Sequence, residues 1–196
     1  MMSLVTQFAP DFVASAVMPD NSIRDDFRLA ELRGKYVVLF FYPLDFTFVC
    51  PTELIAFDRA KAEFDALNTE LVAVSIDSAY SHFAWRNMPR KEGGVGPLAY
   101  PMVADLAKSI SRSYGVLKDE SIALRGLFLI DREGIIRHEL VNDLPLGRSV
   151  EETLRMVEAL QFFEANGEVC PANWHKGDEA VKPTAKGIAN YLAGQS

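Results

Sequence analysis

Only two cysteines stand in the 196 residues, at positions 50 and 170. That is too few for the disulfide framework of a small secreted scaffold, and too few for a four-cysteine zinc site. Basic blocks are absent as well, and 20 Lys plus Arg against 27 Asp plus Glu leave a net charge of −7. Such a chain has no electrostatic claim on nucleic acid or on an anionic membrane. The longest apolar run, Tyr36 to Tyr42, falls far short of the roughly 18 apolar residues of a membrane span. Met1-Met2-Ser3-Leu4-Val5-Thr6-Gln7-Phe8 has neither the basic flank nor the apolar stretch of a secretory leader. What remains is 49% hydrophobic and free of repeats or low-complexity tracts. The expectation is a soluble, cytoplasmic α/β protein of one compact domain plus an extension.

Hydrophobic patterning orders the elements. Short apolar pieces in the first 30 residues flank Met18-Pro19-Asp20-Asn21-Ser22, which reads as a hairpin turn. Tyr36 to Tyr42 is β-prone without alternation, as in a strand covered on both faces. A short connection, Pro43 to Val49, leads into Cys50-Pro51-Thr52-Glu53. There the spacing of Leu54, Phe57, Ala60, Phe64 and Leu67 predicts a helix, with Pro51 suited to its first position. Leu71 to Ile76 is a second buried strand, completing a βαβ unit. Helices are expected near 81–90 and 105–114, separated by the loop Gly93-Gly94-Val95-Gly96-Pro97. Leu127–Ile130 and Ile135–Leu140 flank the hairpin signature Asp131-Arg132-Glu133-Gly134. A last strong helix runs over about 149–165, opened by Ser149 with Glu152 and closed by Gly167. The order βαβ then ββα is that of a thioredoxin-like fold, here with an N-terminal hairpin elaboration. Residues 1–165 are expected to form this domain. Residues 166–196, punctuated by glycine and proline, are expected to form a C-terminal extension with one short helix near 184–192.

Cys50 falls where a buried strand gives way to a helix, the end of an α/β sheet at which ligands bind. A thiol there faces unpaired backbone N–H groups and the positive end of the helix dipole, which favour the nucleophilic thiolate. Position alone leaves the alternatives open, because a free cysteine is also commonly a small buried hydrophobe. Its neighbours add a pattern: Pro43-Leu44-Asp45-Phe46-Thr47-Phe48-Val49-Cys50 reads P-x-x-x-T-x-x-C. In this the chain resembles the peroxiredoxins, thiol peroxidases built on a thioredoxin-like core. Phe46 to Glu53 resembles their typical two-cysteine branch, including the alkyl hydroperoxide reductase C type. Arg125-Gly126-Leu127-Phe128-Leu129-Ile130-Asp131, Asp143 to Arg148 and Glu168-Val169-Cys170-Pro171-Ala172-Asn173-Trp174 are similar to further family segments, so the likeness spans nearly the whole chain.

The resemblance implies that Cys50 is the peroxidatic nucleophile and Cys170 the resolving thiol, joined as an intersubunit disulfide across a two-fold homodimer. It implies that Arg125 favours the thiolate and stabilises the departing oxygen, that Thr47 hydrogen-bonds the peroxide and the sulfur, and that Pro43 shields the site from water. Glu53 and Arg148 are then the residues that orient Arg125. It further implies unwinding of the first turn of the Cys50 helix during turnover, no cofactor or metal, and assembly of five dimers into a decamer. The recycling donor is expected to be thioredoxin or a flavin disulfide reductase. Gly93 to Gly96 and Tyr191-Leu192 resemble the pair of features linked with overoxidation in relatives. Val95 and Leu192 depart from the usual residues there, which implies intermediate sensitivity.

Other readings compete. His82, His138 and His175 fall in separate elements with no recognisable triad motif, and position 53 is Glu, so no Cys-x-x-Cys exchanger is present. Phe41, Phe46, Phe48 and Tyr80 suit either a core or an interface. An oligomeric holdase chaperone or a peroxide-signalling protein therefore stands as the alternative to a bulk peroxidase.

Overall fold

The computed structural model describes residues 3–194. The first two residues of the expected unit 1–165 and the last two of the expected unit 166–196 thus lie outside the described residues. The chain forms two compact units, Met1–Val150 and Glu151–Ser196.

Among the described residues the larger unit is built on nine strands: β1 (Val13–Val17), β2 (Ile23–Arg28), β3 (Tyr36–Phe41), β4 (Thr69–Ser75), β5 (Met102–Ala104), β6 (Leu117–Lys118), β7 (Ile122–Ala123), β8 (Arg125–Ile130) and β9 (Ile136–Asn142). Seven of them share one sheet in the order β2-β1-β5-β4-β3-β8-β9, while β6 and β7 form a separate ribbon. β3 pairs parallel with β4 and antiparallel with β8. β1 and β2 form the expected hairpin, closed where Met18 N–H donates to Ser22 C=O at 2.8 Å and Asn21 adopts φ 66°.

β3 is central, and every residue of it is buried. Val37, Leu39 and Phe41 join a core with Val72, Val74, Phe128 and Ile130. On the other face Phe40 stacks on Phe57, ring centroids 4.4 Å apart. Two-sided burial explains the unbroken apolar run that the sequence displays. Between β3 and β4 come two helices, α1 (Cys50–Arg59) and α2 (Lys61–Ala66), where the sequence pattern predicts one. The chain turns at Ala60 (φ −88°, ψ 2°), yet Leu54, Phe57 and Phe64 all remain fully buried. The apolar stripe therefore survives the break that it does not reveal. Helix α3 (Ala79–Asn87) is capped by Ser78, whose hydroxyl accepts from Ser81 N–H, and it packs against β1 and β5. The helix expected over 105–114 is shorter, α4 (Ser109–Ser113), because Asp105 ends β5 and turns its carboxylate onto the Ile110 and Ser111 amides.

The smaller unit carries α5 from Val150–Asn166 and α6 (Ala185–Ala193), the latter capped by Thr184. Trp174 is 1% exposed, its ring 4.9 Å from Phe162, and Arg155 donates to its carbonyl at 2.9 Å. Val169 and Val181 are bridged antiparallel, closing the Cys170 segment into a loop. Among the described residues no helix is long and apolar enough to cross a membrane.

Candidate active site

β3 stops at Phe41, and Pro43, which lacks an N–H, starts the connection to α1. Cys50 is the first residue of α1 and is fully buried, so its sulfur sits at the positive end of the helix in a desolvated position. Pro51 has no N–H, and the Thr52 and Glu53 amides donate back to Val49 C=O.

One guanidinium edge meets the sulfur. Arg125, at the start of β8, directs Nη1 to Cys50 Sγ at 3.4 Å and to Glu53 Oε2 at 2.7 Å, while its Nε donates to Leu144 C=O at 2.7 Å. Glu53 is in turn gripped by Arg148: the backbone N–H and Nε reach Oε1 at 2.9 and 2.8 Å, and Nη2 reaches Oε2 at 3.0 Å. Arg148 also donates to Gly126 C=O and lies over the Phe40 ring, 5.3 Å from its centroid. All three side chains are at most 4% exposed. Two cations share one carboxylate, so a positive charge is left over beside the sulfur.

Thr47 gives its hydroxyl hydrogen to Leu44 C=O at 2.9 Å. The oxygen is thereby left as an acceptor, suited to a donor such as a peroxide O–H. The loop bearing Thr47 is held by a buried polar cluster that the sequence does not disclose. Asp45 Oδ1 accepts from Tyr42 Oη at 2.8 Å, its Oδ2 meets Ser81 Oγ and His82 Nδ1 at 2.8 Å, and its N–H donates to Asp77 Oδ2 at 2.7 Å. His82 Nε2 lies 3.2 Å from Val103 C=O, so the ring is a core element. Burial, with the nearby Asp45 charge, pushes the Tyr42 phenol well above its ordinary range, keeping it a donor. Next to Asp45, Phe46 is held at φ 55°, a costly conformation for a bulky residue that the clamp on either side maintains. The signal available beforehand was weak: an Asp inside a loop and a His in a helix, 37 residues apart.

Pro43, Thr47, Cys50, Glu53, Arg125 and Arg148 thus all belong to the larger unit, and Cys50, Glu53, Arg125 and Arg148 are in direct contact. Thr47 bonds Leu44 instead of the sulfur. Cys170 lies in the smaller unit, partly buried, 3.5 Å from Ala159 C=O. Burial pushes its thiol above the ordinary value, with Arg155 opposing. Both cysteines are free thiols. Among the described residues no group of three or more His, Cys, Asp or Glu is placed to hold a metal ion.

The AhpC/TSA family profile matches residues 5–139. The chain belongs to the AhpC/TSA family, the peroxiredoxins. A second profile, the C-terminal domain of 1-Cys peroxiredoxin, matches residues 159–194, a stretch that here holds Cys170. Alkyl hydroperoxide reductase C of Helicobacter pylori (strain J99 / ATCC 700824) is 55% identical over 190 residues, 96% of each chain. Peroxiredoxin-2 of Mus musculus is 55% identical over 186 residues, 94% of this chain and 93% of that one. The reduced 2-Cys peroxiredoxin of Plasmodium vivax superposes with a TM-score of 0.96 at 49% identity, covering 98% of this chain and all of its own. This peroxiredoxin is accordingly a thiol-dependent peroxidase on a thioredoxin-like fold.

Proposed function

We propose that Cys50 is the peroxidatic thiol of this peroxidase and Cys170 its resolving partner. The observation that carries the reading is the single Arg125 edge that spans Cys50 Sγ and Glu53. Cys50 thiolate attacks the terminal peroxide oxygen; an S–O bond forms as the O–O bond breaks. The departing oxygen leaves as hydroxide or alkoxide and takes a proton to become water or an alcohol. Arg125 supports the ionised sulfur before the step and the outgoing charge during it. The Thr47 oxygen accepts from the peroxide, and Pro43 walls the pocket. Glu53 and Arg148 hold the guanidinium, which would otherwise rotate away on its flexible stem.

The Cys50 sulfenic acid then condenses with the Cys170 thiol of a second copy, releasing water and forming one disulfide. A fully buried sulfur does not reach another subunit's thiol within bonding geometry, so the first turn of α1 unwinds in this step. A dithiol donor, thioredoxin or a flavin disulfide reductase, restores both thiols by exchange. Exposed Phe48 (92%), Tyr80 (78%) and Phe46 (53%) support assembly of such dimers into a decamer. A related chain, Plasmodium yoelii Prx1a modified at the N-terminus, is described as forming an artifactual octamer. Two thiols left free suit the reducing cytoplasm. The test is Cys50→Ser and Cys170→Ser in a peroxide-consumption assay coupled to either donor. The first variant should be inactive, and the second should lose turnover but keep one stoichiometric reaction. Client aggregation assays on Cys50→Ser address the holdase alternative: suppression that persists without peroxidase activity would support a separate chaperone role.

A further inference from the structure

Helix α1 is fastened to its unit at two places, and the active site uses only the first. Immediately after Glu53, one turn beyond Cys50, the Tyr100 hydroxyl donates to Leu54 C=O at 2.6 Å. The Tyr100 ring meets Phe40 edge-on at 5.7 Å, and Phe40 stacks on Phe57. Next to it, Ala99 N–H donates to Asp58 Oδ1 at 2.7 Å, and Arg90 Nη2 lies 3.6 Å from Asp58 Oδ2. The segment that supplies these donors is itself anchored. Arg86, 3% exposed, donates from Nη1 to Tyr100 C=O at 3.1 Å and from Nη2 to Leu98 C=O at 2.9 Å. Trp85 Nε1 reaches Gly93 C=O at 2.9 Å. Leu54, Phe57 and Tyr100 are all fully buried.

In an α-helix Leu54 C=O accepts from the Asp58 amide, so Tyr100 adds a second donor to a carbonyl already in use. Its contribution is positional. The carbonyl stays in place whether or not the preceding turn is wound. Cys50 to Glu53, by contrast, are held by the Glu53 carboxylate and its two arginines. The helix is therefore divided between a first turn held by the buried Glu53 ion pairs and a remainder held by Tyr100, Asp58 and ring packing.

We infer that the Tyr100 hydroxyl, seconded by Asp58, is the stop at which unwinding of α1 ends, so that Cys50 to Glu53 leave the helix in turnover and Leu54 onward does not. This rests on the reading that the first turn unwinds. A stop at Leu54 sets the reach of the sulfur. Four residues span about 6 Å along a helix and up to about 14 Å when extended, so Cys50 gains roughly 8 Å. Tyr100 acts here as a positioning residue, since it touches neither the sulfur nor Arg125.

Tyr100→Phe keeps the ring and its packing and removes only the donor. The full-length protein is oxidised to the disulfide with one equivalent of hydrogen peroxide, and residue-resolved hydrogen exchange is compared with that of the thiol form. In the oxidised wild type the amides of Leu54 to Phe57, whose helical acceptors lie in the first turn, lose protection. The amides of Asp58, Arg59 and Ala60 keep it. In oxidised Y100F those three exchange on the order of 5-fold faster, the value of one buried hydrogen bond. Asp58→Ala moves them the same way, while the rate of sulfenic acid formation in Y100F stays near the wild-type value. Equal protection of Asp58 to Ala60 in Y100F and wild type overturns the stop, as does free exchange of these amides in the oxidised wild type. If Leu54 to Phe57 keep their protection on oxidation, the unwinding itself is refuted and the stop falls with it.

Discussion

Arg125→Lys separates what the guanidinium contributes by charge from what it contributes by shape. Arg125 serves three acceptors at once: Cys50 Sγ at 3.4 Å, Glu53 Oε2 at 2.7 Å and Leu144 C=O at 2.7 Å. A lysine keeps the charge but offers a single nitrogen on an unbranched stem, which does not reach three acceptors spread around a planar fork. The Glu53 carboxylate, as the charged acceptor, retains it. The sulfur side then loses its donor, and with it one charge-assisted hydrogen bond worth about 1.5–3 kcal/mol. At 1.36 kcal/mol per tenfold, the second-order rate constant with hydrogen peroxide falls about 10- to 150-fold. Arg125→Met, which also removes the charge, falls toward the roughly 100- to 1000-fold seen on deleting an oxyanion donor. Stopped-flow tryptophan fluorescence reads the step, because the Trp85 ring lies 5.6 Å from Phe46 in the loop that bears Thr47. A rate for Arg125→Lys within about 3-fold of wild type, less than 1 kcal/mol of barrier, would refute the role assigned to the guanidinium.

Glu53→Ala leaves two buried guanidiniums without their carboxylate, and removal of one partner from a buried pair costs about 3–5 kcal/mol. For a chain of this size that is a Tm decrease on the order of 10 °C by calorimetry, and an unchanged Tm would contradict the account. Asp45→Asn weakens the acceptor shared by Tyr42, Ser81 and His82; kcat/KM should fall about 10-fold as the Thr47 loop loosens, and an unaltered value shows that the clamp does not serve the reaction. The Cys170 thiol is raised by burial, so its thiolate, the attacking form, is scarce at neutral pH and grows as pH rises. Rapid-quench measurement of disulfide formation should therefore show a rise of up to about 10-fold per pH unit between neutrality and pH 9, and a flat profile would place the limit in helix opening instead.

The larger elements were legible because burial leaves a period. β3 shows as an apolar run since both of its faces are covered, and α5 and α6 stand within a residue or two of their expected spans. Short elements leave no such trace. β5, β6 and β7 are three, two and two residues long, and α4 is trimmed by the Asp105 carboxylate that no spacing predicts. At the site, Cys50 could be placed from its strand-to-helix position, but Arg125 and Arg148 lie 72 and 95 residues along the chain from Glu53. Only the family resemblance joined them beforehand. Asp45 with His82, and Tyr100 with Leu54, had neither periodicity nor motif to mark them. They are contacts made by the tertiary fold.

The central claim is the two-cysteine cycle, and the most direct test is a non-reducing denaturing gel after one equivalent of hydrogen peroxide. The wild type should run as a covalent dimer that collapses to monomer with a reducing agent, and neither Cys50→Ser nor Cys170→Ser should form it. A wild type that stays monomeric, with both thiols still titratable after peroxide, would contradict the account.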